Sequence, residues 1–175
     1  GPKALGILQQ LTETDLSSIK YYHFTTGEVD GVASIISRTG YTGEDGFELL
    51  IPSEIAEDLA SALCTNPVVA PIGLGARDSL RLEAGLCLYG HDMDLTQTPV
   101  SASLTWSIGQ RRRREGDFVE DEKVLLEISQ GTPMKRVGLK GLSKAIAREG
   151  APIYDQGEKV GYVTSGVPSP SLGYP

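Results

Sequence analysis

Residues 38–48 form a glycine-rich turn between two strand patterns, and this turn limits the folds that are open to the chain. Residues 32–37 before it and residues 47–51 after it have the length and composition of strands. The three glycines between them favour backbone conformations and close approaches that other residues resist. The pattern is typical of a tight turn that holds its polar side chains in fixed positions.

Glu48 stands at the start of the second strand pattern, between Phe47 and Leu49. Because side chains alternate between the two faces of a strand, we expect Glu48 on the face opposite its apolar neighbours. Two interpretations stay open at this point: a solvated surface charge, or a carboxylate placed to bind a ligand.

Strand and helix patterns alternate irregularly along the first part of the chain. Residues 22–26 and 32–37 predict a hairpin, and helices are predicted at residues 53–64 and 76–84, the second ended by Gly85. This order favours the α+β class, with an antiparallel sheet and flanking helices, over a doubly wound parallel sheet.

The character of the sequence changes near residue 110. Four consecutive arginines at residues 111–114 precede an acidic stretch, and together they predict a polar connector. Short strands are then expected at the positions 135–139, 147–154 and 159–163. We therefore predict two domains, residues 1–110 and residues 111–175, the second β-rich and barrel-like, and we expect both to be incomplete.

Composition excludes several classes of function. The formal net charge of -7 argues against nucleic acid as the main partner. Two cysteines are too few for a disulfide scaffold, and no stretch reaches the roughly 20 apolar residues of a membrane helix. Cys87 and His91 are spaced like metal ligands, but two residues do not make a zinc site, so no metal is expected.

Two further features are candidates for ligand binding. Arg77 and Arg81 lie one helical turn apart, so they either bind a carboxylate together or form ion pairs with acidic neighbours such as Asp78. Trp106 lies within an alternating pattern at residues 104–108, which predicts a strand. Its ring is either part of a core or a platform for a ligand.

Several motifs together resemble the glycine cleavage system T-protein family, the tetrahydrofolate-dependent aminomethyltransferases. They follow the family's order over nearly the whole chain, and they lie at residues 1–4 (Gly-Pro-Lys-Ala), 37–48 (Ser-Arg-Thr-Gly-Tyr-Thr-Gly-Glu-Asp-Gly-Phe-Glu), 73–85 (Gly-Leu-Gly-Ala-Arg-Asp-Ser-Leu-Arg-Leu-Glu-Ala-Gly), 88–90 (Leu-Tyr-Gly), 164–166 (Thr-Ser-Gly) and 169–174 (Ser-Pro-Ser-Leu-Gly-Tyr). Residues 85–90 and the arginine run resemble eukaryotic members, which implies the mitochondrial matrix.

The resemblance implies a reaction and two partners. An aminomethyl group on the lipoyl arm of H-protein is passed as a methylene to tetrahydrofolate, which is the acceptor substrate, and ammonia is released. The resemblance assigns Glu48 to the pterin, with Tyr41 on the same turn, and it places Arg77, Trp106 and Arg136 at folate contacts. A carboxylate suits the paired N–H and amino group of a pterin, and arginines suit the anionic folate tail.

The family's catalytic aspartate is expected in a segment N-terminal to this sequence, so the catalytic residue is unknown here. Asp45, Asp78 and Asp92 do not match it. Two other folate-binding functions remain as alternatives: the folate domain of a dimethylglycine- or sarcosine-type dehydrogenase, and a non-catalytic relative that assists iron-sulfur cluster assembly. Residues 111–114 are either a docking surface for acidic H-protein or a solvated connector.

Overall fold

The computed structural model describes residues 1–173 and 175, and the chain forms two compact units. The first unit is Gly1–Ala84 and the second is Gly85–Pro175. Each unit has its own sheet and helices. The two domains predicted from the sequence, residues 1–110 and 111–175, stay a prediction, because a compact unit and a family domain are different divisions of a chain.

The first unit is built on an antiparallel sheet of three strands that lie side by side in chain order. A 3₁₀ turn at Gln9–Leu11 extends its first helix. Its elements are, in chain order, α1 (Ala4–Leu8), β1 (Phe24–Val29), β2 (Val32–Ser37), β3 (Glu48–Leu50), α2 (Ala56–Cys64) and α3 (Leu74–Glu83).

The predicted hairpin is present, but its turn is shorter than the sequence indicates. β1 continues through Gly27 to Val29, so the turn consists of Asp30 and Gly31, both with positive φ (52° and 73°). Gly27 serves a different purpose within the strand. A Cβ there would lie 2.3 Å from Oγ1 of Thr14, so the glycine permits a close approach rather than a bend.

The core of the first unit lies on one face of this sheet. Six fully or nearly buried side chains form it: Leu8, Leu16, Ile19, Val29, Ile36 and Leu59. The opposite face, which we call the open face, carries the exposed side chains of Phe24, Glu28, Ile35, Glu48 and Leu50. The strand alternation predicted for Glu48 is therefore confirmed, because Phe47 and Leu49 pack against the core while Glu48 does not.

The second unit combines two helices with an antiparallel hairpin. Its elements are a 3₁₀ turn at Thr105–Ser107, α4 (Gln110–Glu115), α5 (Asp121–Gln130), β4 (Pro152–Asp155) and β5 (Glu158–Tyr162). The hairpin turn uses Gln156 and Gly157, both with positive φ. The expected class is confirmed, since helices accompany antiparallel sheets in the described residues.

Three local predictions for the second unit were wrong. The predicted strand at residues 104–108 is instead a 3₁₀ turn at Thr105–Ser107. The predicted polar connector at residues 111–114 lies within the helix α4. Residues 135–139 pair with no strand among the described residues, and the strand predicted at 147–154 begins only at Pro152. Short alternating patterns do not distinguish a strand from an extended loop or a single turn, because the partner strand decides between them.

None of the helices in the described part of the chain has both the length and the apolar character needed to cross a membrane.

The two adjacent isoleucines of β2 provide a matched test of the core. Ile36 is fully buried, whereas Ile35 exposes 38% of its surface on the open face. We expect Ile36→Ala to lower the free energy of unfolding by about 2 to 4 kcal/mol, because it leaves a cavity, and Ile35→Ala by less than about 1 kcal/mol. Urea denaturation measures both. Equal losses would contradict the assignment of the buried face.

Candidate functional site

The glycine-rich turn at residues 38–48 is closed by an ion pair between Arg38 and Asp45. Nε of Arg38 donates to Oδ1 of Asp45 at 2.9 Å, and a terminal amino group donates to Oδ2 at 3.0 Å. Two parallel hydrogen bonds fix both the distance and the relative orientation of the two groups. We call this pair the Arg38–Asp45 clasp.

Arg38 also ties the turn to the segment before β1. Its other terminal amino group donates to the carbonyl of Ile19 at 3.0 Å. Its backbone N–H donates to the carbonyl of His23, and its carbonyl accepts from the N–H of Tyr22, both at 2.9 Å. The guanidinium carbon lies 5.8 Å from the ring centroid of Phe47, the residue before Glu48. The side chain and backbone of Arg38 therefore connect the glycine-rich turn to the segment that precedes β1.

The clasp shifts the ionisation of both partners. Hydrogen bonding and charge attraction from Arg38 hold the pKa of the Asp45 carboxyl below its ordinary value, although partial burial opposes this shift. The Asp45 carboxylate raises the pKa of the Arg38 guanidinium for the same reason. Both groups are thus charged throughout the neutral range.

The turn contacts one face of α3 at two points. The guanidinium carbon of Arg77 lies 4.7 Å from the ring centroid of Tyr41, within cation–π range. Two helical turns further on, Ala84 touches Gly43, where φ is +78° and an added Cβ would lie 2.5 Å from the Cβ of Ala84. Gly43 therefore meets two requirements that exclude larger residues: its positive φ and its close contact with the helix.

Glu48 projects from the open face of the sheet. It pairs with Ser37 across β2 and β3. No side-chain hydrogen bond or ion pair from a described residue reaches its carboxylate, and the same face carries the apolar side chains of Phe24, Ile35 and Leu50. The carboxylate is thus held by the sheet at a defined place and is available to a ligand.

The two arginines of α3 have different environments. Arg81 is 1% exposed, and its guanidinium forms an ion pair with Asp78 at 2.7 Å. Arg77 is exposed and stacks on Tyr41. From the sequence, the two arginines either bind a carboxylate together or form ion pairs. In the structure, Arg81 forms an ion pair, and Arg77 remains accessible beside the turn.

Trp106 and Arg136 lie in the second unit. Trp106 exposes 62% of its surface on the 3₁₀ turn Thr105–Ser107, so it is not a core residue of this unit. Nε of Arg136 donates to the carbonyl of Ala102 at 3.0 Å, and its backbone N–H donates to Ser101 at 2.7 Å. The terminal amino groups of Arg136 have no partner among the residues described, so they can bind an anion.

Of the five residues predicted to bind folate, the first unit contains Tyr41, Glu48 and Arg77. These three share the turn and the helix it contacts. Trp106 and Arg136 are described within the second unit. The Arg38–Asp45 clasp was not predicted, although opposite charges on either side of the glycines in this turn are a signal for it.

A buried carboxylate organises part of the second unit. Asp92 is 6% exposed, and its Oδ1 accepts from the hydroxyls of Thr164 at 2.6 Å and Ser165 at 2.8 Å. Its Oδ2 accepts from the N–H of Leu88 at 2.9 Å. Asp92 therefore connects two of the motifs noted in the sequence, residues 88–90 and 164–166, so its role is structural.

The residues with metal-like spacing point to different partners. Nδ1 of His91 lies 2.8 Å from the carboxylate of Glu149, and the thiol of Cys87 lies 3.7 Å from the carbonyl of Ala102. Within the described residues, no group of three or more histidine, cysteine, aspartate or glutamate side chains is arranged to hold a metal ion.

Replacing Asp45 with asparagine tests the clasp through its pH dependence. Because the folded-state pKa of Asp45 is lowered, its contribution is present above the ordinary value of about 3.8 and is lost as the pH falls below it. We expect Asp45→Asn to reduce stability by up to about 1 kcal/mol at pH 7. The difference from wild type, measured by urea denaturation, should shrink as the pH falls below about 3.8 and through the lowered folded-state pKa of Asp45.

Glu44→Gln is the matched control, because Glu44 lies in the same turn and is exposed, with no side-chain partner among the described residues. It removes one negative charge without breaking the clasp. A pH-independent loss in Asp45→Asn, or an equal loss in Glu44→Gln, would contradict the role given to the ion pair.

Gly43 and Gly40 form a second matched pair within the turn. Gly43→Ala should destabilise the protein by about 1 to 3 kcal/mol, because alanine is strained at positive φ and its Cβ would overlap Ala84. Gly40 has no atom within 4 Å of an added Cβ, so Gly40→Ala should have little effect. Thermal unfolding monitored by circular dichroism compares them. Equal melting temperatures would argue against the contact with α3.

Comparison with known proteins identifies the family. Residues 1–112 match the GCVT N-terminal domain, and residues 135–175 match the glycine cleavage T-protein C-terminal barrel domain. The chain is 49% identical to proteins from Flaveria trinervia and Solanum tuberosum, each named aminomethyltransferase, mitochondrial; the matches cover 98% of this chain and 43% of either relative.

A solved structure agrees with these matches. The crystal structure of glycine cleavage system aminomethyltransferase T from Bartonella henselae has a TM-score of 0.87 and 37% identity, covering 98% of this chain and 46% of that one. The chain thus spans less than half the length of these relatives. With both domain models matched in order and this level of identity, the chain belongs to the glycine cleavage T-protein family.

Proposed function

We propose that this chain is part of a tetrahydrofolate-dependent aminomethyltransferase of the glycine cleavage system. In the proposed reaction, the carbon of an aminomethyl group leaves the lipoyl sulfur of H-protein and its amino nitrogen. It forms bonds to two nitrogens of tetrahydrofolate, which give up their protons. The products are methylenetetrahydrofolate, ammonia and dihydrolipoyl H-protein, so no external oxidant or reductant is needed.

One observation carries the proposal, namely the position of Glu48. Its carboxylate lies on the open face of the sheet, at the end of the turn that the Arg38–Asp45 clasp closes. It has no side-chain partner among the described residues. A carboxylate that is fixed in place but not neutralised favours a ligand with paired donors. The edge of a pterin offers an N–H beside an exocyclic amino group, which allows a bidentate, charge-assisted contact.

The surroundings of Glu48 also fit a pterin. Phe24, Ile35 and Leu50 give the open face an apolar character suited to a flat ring. Tyr41 lies on the same turn, and Arg77 holds its ring by a cation–π contact while remaining exposed. We assign Tyr41 to the neighbourhood of the pterin and Arg77 to a folate contact.

For the second unit, the proposal assigns folate contacts to Trp106 and Arg136. An exposed indole provides a stacking surface, and a guanidinium with available amino groups suits a carboxylate of the folate tail. These groups account for an anionic ligand on a chain whose formal net charge is -7. Local cations matter more for such contacts than the total charge does.

We propose lipoylated H-protein as the partner and the mitochondrial matrix as the compartment. Support for the compartment comes from the names of the two plant relatives, both called mitochondrial. For the partner, the family match is the support. No residue of this chain is assigned to H-protein, because three arginines of the run at 111–114 have internal partners.

The chain's own aspartates are poor candidates for the catalytic group. Asp45 is paired with Arg38, Asp78 with Arg81, and Asp92 is buried under donors from Leu88, Thr164 and Ser165. Each has a structural task, which supports the expectation that the family's catalytic aspartate lies elsewhere in the full-length protein. The residues described here bind and orient folate in the proposal and transfer no proton.

The relatives support aminomethyl transfer over the two alternatives that the sequence left open. Neither a dehydrogenase nor an iron-sulfur assembly protein is named among the similar proteins considered above. Ammonia release from aminomethylated H-protein by the full-length enzyme tests the proposed activity directly. Folate binding without ammonia release would favour a non-catalytic folate-binding function.

Replacing Glu48 tests the pterin contact. We expect Glu48→Ala in the full-length protein to weaken tetrahydrofolate binding by on the order of 2 to 4 kcal/mol, because a bidentate charged contact is lost. Isothermal titration calorimetry under anaerobic conditions gives the dissociation constant. Unchanged affinity would mean that the pterin binds elsewhere.

Glu28→Ala is the control for this experiment. Glu28 is another exposed glutamate on the open face of the same sheet, where it pairs with Ala33 in β2. Its removal makes the same change in charge without touching the proposed contact, so affinity should stay close to wild type. An equal loss in both variants would indicate a general electrostatic effect rather than a specific bond.

A further inference from the structure

Arg136 is anchored to one short turn of the second unit by three hydrogen bonds. Its backbone N–H donates to the carbonyl of Ser101 at 2.7 Å, and its Nε donates to the carbonyl of Ala102 at 3.0 Å. The third bond runs in the opposite direction, because the hydroxyl of Ser103 donates to the carbonyl of Arg136 at 2.8 Å. Three consecutive residues therefore hold an arginine that lies 33 positions beyond Ser103 in the sequence.

The turn that holds Arg136 is closed by its own backbone. The N–H of Leu104 donates to the carbonyl of Pro99 at 2.7 Å, and the N–H of Ser103 donates to the carbonyl of Val100 at 3.0 Å. These two bonds, together with the positive φ of Ser103 (60°), have the pattern of a Schellman motif. Glycine is the usual residue at the left-handed position of this motif, because it has no Cβ to clash with the backbone.

The hydroxyl of Ser103 accounts for a serine at this glycine-like position. Glycine would satisfy the backbone of the turn with less strain, whereas serine adds a Cβ and one hydrogen-bond donor. That donor is used on the carbonyl of Arg136. Backbone strain of this kind persists where the surrounding contacts compensate for it, and the bond to Arg136 is such a contact.

The three hydrogen bonds leave the outer edge of the guanidinium available. They use the Nε, the backbone N–H and the carbonyl of Arg136, so the two terminal amino groups remain without a partner among the residues described. These two groups lie in one plane and match the two oxygens of a carboxylate. Arg136 is half-buried, so neighbouring atoms also restrict its rotamers.

We infer that Ser103 is a positioning residue, which holds Arg136 ready for a carboxylate of the folate tail. The inference rests on the proposed function, in which Arg136 contacts folate, and it adds a residue that acts only through that arginine. Without the hydroxyl, one of the three bonds to Arg136 is lost. An arginine that is less well fixed before binding loses more conformational entropy when it binds its ligand.

Ser103→Ala in the full-length protein tests the inference with two ligands. Tetrahydrofolate carries the tail carboxylates, whereas tetrahydrobiopterin has a reduced pterin ring but no glutamyl tail. We expect the dissociation constant of tetrahydrofolate, from anaerobic isothermal titration calorimetry, to rise about three- to tenfold. That of tetrahydrobiopterin should stay at the wild-type value. A purely structural role does not distinguish the two ligands, so equal changes for both would overturn the inference.

A double-mutant cycle tests whether Ser103 acts through Arg136. Arg136→Ala should weaken tetrahydrofolate binding, because it removes the guanidinium. Adding Ser103→Ala to that variant should cause no further loss, since the side chain that the hydroxyl helps to hold is already absent. A further loss as large as that of Ser103→Ala alone would overturn the inference. The cycle uses tetrahydrofolate alone, so it decides the question even where tetrahydrobiopterin binds too weakly to measure.

The cycle also separates failure of the inference from failure of the proposed function. Unchanged tetrahydrofolate affinity in Arg136→Ala would overturn the inference, because Ser103 would then have no folate contact to position. The pterin contact of Glu48 would stand or fall separately, by the Glu48→Ala experiment. Absence of tetrahydrofolate binding to the wild-type protein would overturn both.

Ser129→Ala is the matched control. The hydroxyl of Ser129 also donates to a backbone carbonyl, that of Leu126 at 2.9 Å, but this bond lies within α5 and does not involve Arg136. Both ligands should bind to Ser129→Ala as they do to wild type. A loss of tetrahydrofolate affinity equal to that of Ser103→Ala would overturn the inference.

Ser103→Gly separates the hydroxyl from the backbone and covers the case in which the alanine variant does not fold. Glycine removes the hydroxyl but tolerates the positive φ, so this variant should be at least as stable as Ser103→Ala. We expect the same three- to tenfold loss of tetrahydrofolate affinity, about that of one hydrogen bond. Wild-type affinity in folded Ser103→Gly would show that the hydroxyl is not needed and would overturn the inference.

Discussion

The ion pair between Arg38 and Asp45 is the constraint on which the candidate site depends. A turn with three glycines has little conformational preference of its own, so something outside its backbone must select one conformation. Two parallel hydrogen bonds at 2.9 and 3.0 Å do this, and the hydrogen bond from Arg38 to Ile19 sets the turn against the segment that precedes β1. Tyr41 and Glu48 take their places from that closure.

Arginine serves mainly as an internal scaffold in this acidic chain. Arg38, Arg113 and Arg136 each donate from a side chain to a backbone carbonyl of a neighbouring segment. Such carbonyls lie in loops and turns, where regular sheet and helix hydrogen bonding is incomplete. A guanidinium suits this task because it supplies several donors in one plane and stays charged. Counting charges along the sequence does not distinguish this use from a basic surface.

The sequence predicted what depends on local patterns, and it missed what depends on distant contacts. Hydrophobic periodicity and helix-ending residues are enough to predict the β2 strand, the end of α3 before Gly85 and the outward position of Glu48. The strand predicted around Trp106 failed because alternation over five residues also fits a 3₁₀ turn, which here accepts a hydrogen bond from Arg113 in the next helix. Likewise, nothing local reveals that Gly43 meets Ala84, since the two lie in different elements.

That meeting of Gly43 with Ala84 has a mechanical consequence. Most packed contacts can yield, because a side chain changes rotamer when its neighbour moves. Neither of these residues has a rotatable side chain, so the contact has almost no compliance: the turn and the end of α3 must shift together or separate. A displacement of that helix end toward the turn therefore pushes on the turn directly, which makes the contact stiff in compression.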